Sequence, residues 1–150
     1  MKILFLSHPI TIEPDHEESF GAYPPLGLAY MASMLEKQGH EVKIIDSFAE
    51  GIQVKQQRGH KIKIGLKDGS ILSQISEFNP DIVGISNNFT TFYKDASDLA
   101  VLIKTKFPEI LLVGGGNHIS QEHEKIMGEP YFDMLVRGEG EYAMIEMVDH

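Results

Sequence analysis

Cysteine and tryptophan are missing from the 150 residues, cations are few, and no apolar run is long. Without cysteine there is no disulfide, no thiolate nucleophile, no Cys-ligated zinc and no iron–sulfur cluster held within the chain. Thirteen Lys and Arg stand against 22 Asp and Glu, a net charge of −9, which argues against the electropositive footprint of a general nucleic-acid binder. No stretch is long enough for a bilayer-spanning helix, and Met1 to Pro9 is too short for a signal-peptide core with its cleavage site. A cytoplasmic protein with no nucleic-acid and no membrane partner is expected. What is present, 42% apolar and 23% charged residues, suits one globular domain over 1–150 with a single core.

Five short apolar runs, Ile3 to Leu6, Val42 to Ile45, Ile82 to Ile85, Ile110 to Val113 and Met134 to Val136, alternate with segments of helical period. That alternation predicts an α/β fold with a parallel sheet, and runs without polar alternation predict helices on both faces. Leu26 to Leu35 carries the stripe of a first helix closed by Gly39; Asn79-Pro80 ends a helix begun near Asp68 or Ser70; Leu99, Leu102, Ile103 and Phe107 mark another before Pro108. Two more helices are expected, from about Ser120 to Met127 and from Glu139 onward. Right-handed crossovers then favour a doubly wound, flavodoxin-like (Rossmann-like) five-stranded sheet of order 2-1-3-4-5, with ligands at the carboxyl ends of the strands.

Two stretches fall outside this repeat. His8 to Pro25 is acidic and long for a βα loop, so that Glu13 to Ser19 is expected to stay loose until a partner covers it. Ser47 to Lys67 carries Lys55, Arg58, Lys61, Lys63 and Lys67, with Ile62, Ile64 and Leu66 alternating as in a short edge strand with a solvated face. The basic residues are either that solvated face or a patch for an anionic partner.

The strand ends read Ser7-His8, Ser86-Asn87-Asn88-Phe89-Thr90 and Gly114-Gly115-Gly116-Asn117-His118. Three glycines give positive-φ freedom and let a flat ligand lie against backbone, although a tight βα turn would need them too. Hydroxyls and amides nearby suit amides and ribose-phosphate better than a metal. Ser86, Asn88, Thr90 and Gly114 to Gly116 are expected to line one groove with Ser7 and His8. There is no Gly-x-Gly-x-x-Gly after strand one, no Gly-Lys-Ser/Thr loop, no phospho-accepting Asp after strand three, and no assembled nucleophile, base and orienter. No catalytic residue is assigned.

The ordered set Pro24-Pro25-Leu26-Gly27-Leu28-Ala29-Tyr30, Gly39-His40-Glu41-Val42, Gly65-Leu66, Pro80 to Ser86, Gly114 to His118 and Gly138-Glu139-Gly140-Glu141 resembles the N-terminal cobalamin-binding domain of cobalamin-dependent radical S-adenosylmethionine enzymes. Within them it looks most like the anaerobic magnesium-protoporphyrin IX monomethyl ester cyclase family, a label also spread over methyltransferases. The resemblance implies cobalamin at the strand ends, with its nucleotide tail buried, and adds Pro25, Gly27, Gly138 and Glu139 to the cofactor-binding candidates. Glu139 and Glu141 also suit a helix N-terminus on electrostatic grounds alone, and His118 a capping position. The Asp-x-His-x-x-Gly signature that places a His below cobalt is not there: Ser7-His8-Pro9-Ile10 has no such Asp or His offset. His8 is either a displaced axial ligand or a neutral loop imidazole.

The resemblance further implies a 4Fe-4S cluster and S-adenosylmethionine in a downstream radical SAM domain of the same parent chain. This chain alone, stopping at Val148-Asp149-His150 inside a helical pattern, is then expected to be an excised domain without catalysis of its own. Two other readings stand beside it. One is the N-terminal half of a two-domain nucleotide-sugar glycosyltransferase, where an early helix followed by Gly-His-Glu-Val looks alike; the other is a flavodoxin-like interaction domain without a ligand.

Overall fold

In a computed structural model that describes residues 1–149, with side chains through 148, the chain forms β1 (Lys2–Ser7), β2 (Ile10–Ile12), α1 (Leu26–Lys37), β3 (Glu41–Asp46) and α2 (Ser47–Glu50). Next come β4 (Lys55–Arg58), β5 (Lys61–Ile64), α3 (Asp68–Phe78), β6 (Ile82–Ser86) and α4 (Tyr93–Lys106). The last third holds β7 (Leu111–Gly115), α5 (Asn117–Gln121), α6 (His123–Ile126), β8 (Met134–Leu135) and α7 (Gly140–Asp149). The main sheet is parallel and runs β3-β1-β6-β7-β8, which is the expected order 2-1-3-4-5.

Period-two alternation sorts each central strand between two cores. Leu4, Leu6, Val83, Ile85 and Leu112 face α3 and α4, meeting Ile71, Ile75, Leu99 and Ile103. Ile3, Phe5, Ile82 and Val113 face α1 and α7, meeting Leu28, Leu35 and Met144. Helix ends follow local chemistry. Gly39 takes φ +89° just beyond α1, and Asn79 stands at φ 51° after α3, its N–H bonded to the Ile75 carbonyl before Pro80 forbids continuation.

Three expectations need correction. The helix expected from about Ser120 to Met127 starts earlier, at Asn117, and breaks at Glu122 into two short pieces. The Lys61–Ile64 strand is not an edge: it lies between β2 and β4 in a separate antiparallel sheet of order β2-β5-β4. Ile10 and Ile12 of β2 pair with Ile64 and Ile62, and Thr11 fastens β2 to α4 by donating its N–H and hydroxyl to the Asp95 carboxylate at 2.7 and 2.6 Å. The face is not wholly solvated either, because Lys63 is buried and donates to Asp68 at 2.8 Å.

Residues Pro14–Ser19, expected to be loose, form a 3-10 helix with no buried residue. Its acidic side faces the basic hairpin: Glu17 pairs with Lys55, and Glu13 lies 3.4 Å from Lys61 and 3.5 Å from His60. Arg58 approaches Asp68 at 4.0 Å. The anionic partner of the basic run is therefore, in large part, the chain itself.

Candidate functional site

β1 leads by way of α1 to β3 on one side, and the chain then crosses to β6 on the other, so a crevice opens between β1 and β6 where strand order reverses. Ser7, Ser86 and Gly115 are level across the three carboxyl ends. From there a groove of about 620 Å³ descends on the α1 and α7 side of the sheet. Phe5, Gly84 and Val113 floor it, Leu28 and Met31 wall it from α1, and Glu141 and Met144 wall it from α7. Phe20, Tyr23, Leu26 and Phe89 stand exposed at its rim.

The three consecutive glycines have three different environments. A Cβ on Gly115 would meet nothing nearer than the Val136 Cβ at 3.9 Å, so this position opens onto the groove. A Cβ on Gly114 would point to the opposite face, 2.9 Å from Leu135 Cδ2 and 3.1 Å from Phe132 Cε1. Gly116, at φ +105°, would place a Cβ 2.4 Å from the Asn87 carbonyl oxygen and is required by the turn itself.

Of the candidates, Ser7, His8, Pro25, Gly27, Ser86, Asn88, Phe89, Gly114, Gly115, Gly116, Asn117, Gly138 and Glu139 line this groove; Asn87, Thr90 and His118 do not. Asn87 turns inward, almost fully buried, and donates its Nδ2–H to His8 Nε2 at 3.0 Å. His8 Nδ1 donates to the Pro9 carbonyl at 2.7 Å. Burial pushes the imidazole below its usual range, against the Pro9 bond and Asp95, which favour the charged form. Both ring nitrogens of His8 are thus engaged in hydrogen bonds within the chain. Thr90 Oγ1 and His118 Nδ1 bond to each other at 3.0 Å, and the His118 ring packs on Tyr93 with centroids 4.8 Å apart. Asn88 Oδ1 accepts from the Asn117 N–H at 3.1 Å and so closes the turn into α5.

Sequence reasoning missed Phe5, Gly84, Met31, Asp46 and Met144 as lining residues. A signal existed for one: Gly84 interrupts an otherwise apolar strand, the mark of close approach, and a Cβ there would fall 2.9 Å from the Phe5 ring. The charge of the groove is one-sided. Asp46, Glu139 and Glu141 line it, and among the described residues no Lys or Arg does. Asp46 is occupied, accepting from the Ala49 N–H at 3.1 Å, whereas Glu141 Oε2 is buried without a hydrogen-bond partner.

Fold and groove together define a flavodoxin-like α/β domain with an open groove at the carboxyl ends of its strands. The chain belongs to the B12 binding domain family, whose model matches residues 17–148. It is 36% identical over 129 residues to cytidylyl-2-hydroxyethylphosphonate methyltransferase of Streptomyces wedmorensis, covering 84% of this chain and 24% of that one. It is 30% identical over 150 residues to anaerobic magnesium-protoporphyrin IX monomethyl ester cyclase of Rubrivivax gelatinosus, covering 99% and 24%. The chain therefore spans about a quarter of the length of these curated relatives. A crystal structure of a novel cobalamin-binding protein from Desulfitobacterium hafniense superposes with a TM-score of 0.62 at 17% identity, over 98% of this chain and 57% of that one, a likeness of fold. Family membership sets aside the glycosyltransferase alternative. Among the described residues no helix is long and apolar enough to cross a membrane.

Proposed function

We propose that the groove seats the nucleotide tail of cobalamin, and that the chain serves as the cobalamin-carrying part of a radical S-adenosylmethionine methyltransferase or cyclase. The carrying observation is the open cradle at Gly115, level with Ser7 and Ser86, above an apolar floor of Phe5, Gly84 and Val113. A flat base needs an apolar slot without protruding side chains, and sugar and amide groups need donors and acceptors at its mouth. Ser7, Ser86 and Asn88 supply the latter. When bound, cobalamin supplies a cobalt centre able to carry a one-carbon group. The chain's own part is to bury the tail, exclude water from it and leave the corrin at the strand ends, next to the rim of Phe20, Tyr23, Leu26 and Phe89. A 4Fe-4S cluster would be held by another domain of the parent chain, because no thiolate exists here.

The test is retention of hydroxocobalamin by the 150-residue chain after desalting, read by its visible spectrum, beside cobinamide, which has no nucleotide tail. Cobalamin should be retained and cobinamide largely lost. Gly115→Val should abolish retention by filling the slot. Equal retention of both corrinoids would overturn the tail-seating reading, and no retention of cobalamin would overturn the binding reading altogether.

A further inference from the structure

The groove is lined by carboxylates and, among the described residues, by no Lys or Arg, and burial pushes the imidazole of His8, which also lines it, toward the neutral form. Glu141 has an oxygen that is buried without a partner. At this one position a neutral N–H donor satisfies the acceptor, whereas a carboxylate brought into direct contact with it is repelled. The periphery of cobalamin offers such donors as primary amides. Its propionamides project from the same corrin face as the nucleotide tail, the face that turns toward the domain when the tail enters the groove.

Building on the tail-seating reading above, we infer that Glu141 is a specificity-determining residue that accepts a hydrogen bond from a corrin propionamide. It thereby selects fully amidated corrins over those in which that amide is a carboxylate. α7 supports the role by position: its first residue, Gly140, lies against the Met31 side chain of α1, where a Cβ would come 2.7 Å from Sδ, and Glu141 follows it directly on the groove wall.

The experiment compares binding of cobalamin and its b, d and e monocarboxylic acids, each with one propionamide replaced by propionate, by equilibrium dialysis against the wild-type chain and Glu141→Gln. One isomer should bind wild type about tenfold or more weakly than cobalamin does. Glutamine retains an acceptor, adds a donor and removes the charge, so Glu141→Gln should recover most of that penalty for the same isomer. Three isomers binding wild type as tightly as cobalamin would overturn the inference. So would a penalty that persists unchanged in a folded Glu141→Gln chain, checked by circular dichroism. The wild-type comparison stands by itself if the variant does not fold. If wild type fails to bind cobalamin, the tail-seating reading fails instead, a distinct result.

Discussion

The two faces of the central sheet are built from the same strands and end differently. On the α3 and α4 face, Leu4, Leu6, Val83 and Leu112 reach 0% exposure, and the packing runs on to the carboxyl ends, where Phe132 and Leu135 fill the space above Gly114. On the α1 and α7 face, Ile3 and Leu35 are as thoroughly sealed at the amino ends, but level with Phe5 the next strand offers Gly84, two residues further on β7 offers Gly115, and the groove begins. One glycine is filled from outside its strand and its neighbour is left open. A glycine motif is thus a binding feature only at those positions whose missing side chain faces unoccupied space.

The largest effect expected from this contrast comes from making the same substitution on each side. Gly114→Val drives two methyls into Leu135 and Phe132, an overpacking that should cost about 1–3 kcal/mol and lower the melting temperature accordingly. Gly115→Val meets only open space, and valine suits a strand, so its melting temperature should stay near wild type while cobalamin retention disappears. Equal melting temperatures for the two variants would erase the distinction between the faces.

A smaller effect is expected at the seam between them, where His8 and Asn87 bond below the turn. The folded state lowers the His8 pKa through burial, so the unfolded chain binds the extra proton more readily. The stability linked to this group is complete above the usual imidazole value of 6.5 and is lost as pH falls from there through the lowered folded value. Melting temperature should therefore decline below that pH in wild type, and less steeply in His8→Gln. Parallel pH profiles for the two proteins would remove His8 as the cause.

The contrast between the faces also marks where sequence reading succeeds. Strand order was legible because each apolar run is continuous and each crossover carries its own helix, so local pattern and topology rules suffice. The groove was legible only as far as strand ends define it. Asn87, Asn88 and Thr90 follow one strand in succession, yet one turns inward to His8, one caps α5 and one bonds His118. The rotation of a side chain in such a turn depends on partners tens of residues away. Met31, Glu141 and Met144 lie on helices whose apolar stripes indicate a buried face, while which part of that face is left uncovered is decided by Gly84 and Gly115 across the gap. β2 escaped notice for a related reason: its three residues are recognised as a strand only by their partner Ile62–Ile64, some fifty positions on.

The smallest expected effect concerns the segment that leads to the groove's rim. Pro14–Ser19 buries nothing and is fastened by Glu17 to Lys55 and by Glu13 to Lys61, pairs that are all more than a third exposed. Each such pair contributes about 0.2–1 kcal/mol and weakens with salt. Just beyond them, Phe20 sets its ring edge against Phe92, with centroids 5.5 Å apart, a contact that salt does not weaken. Limited proteolysis between Glu13 and Phe20 should therefore accelerate modestly in Lys55→Gln/Lys61→Gln and in wild type at high salt, with little change in melting temperature. Adding Phe20→Ala should accelerate it further, because the apolar anchor then goes as well. Cleavage rates indifferent to both the lysine changes and salt would show that the segment is held by its backbone and its aromatic anchor, and that its charges serve only to neutralise the hairpin.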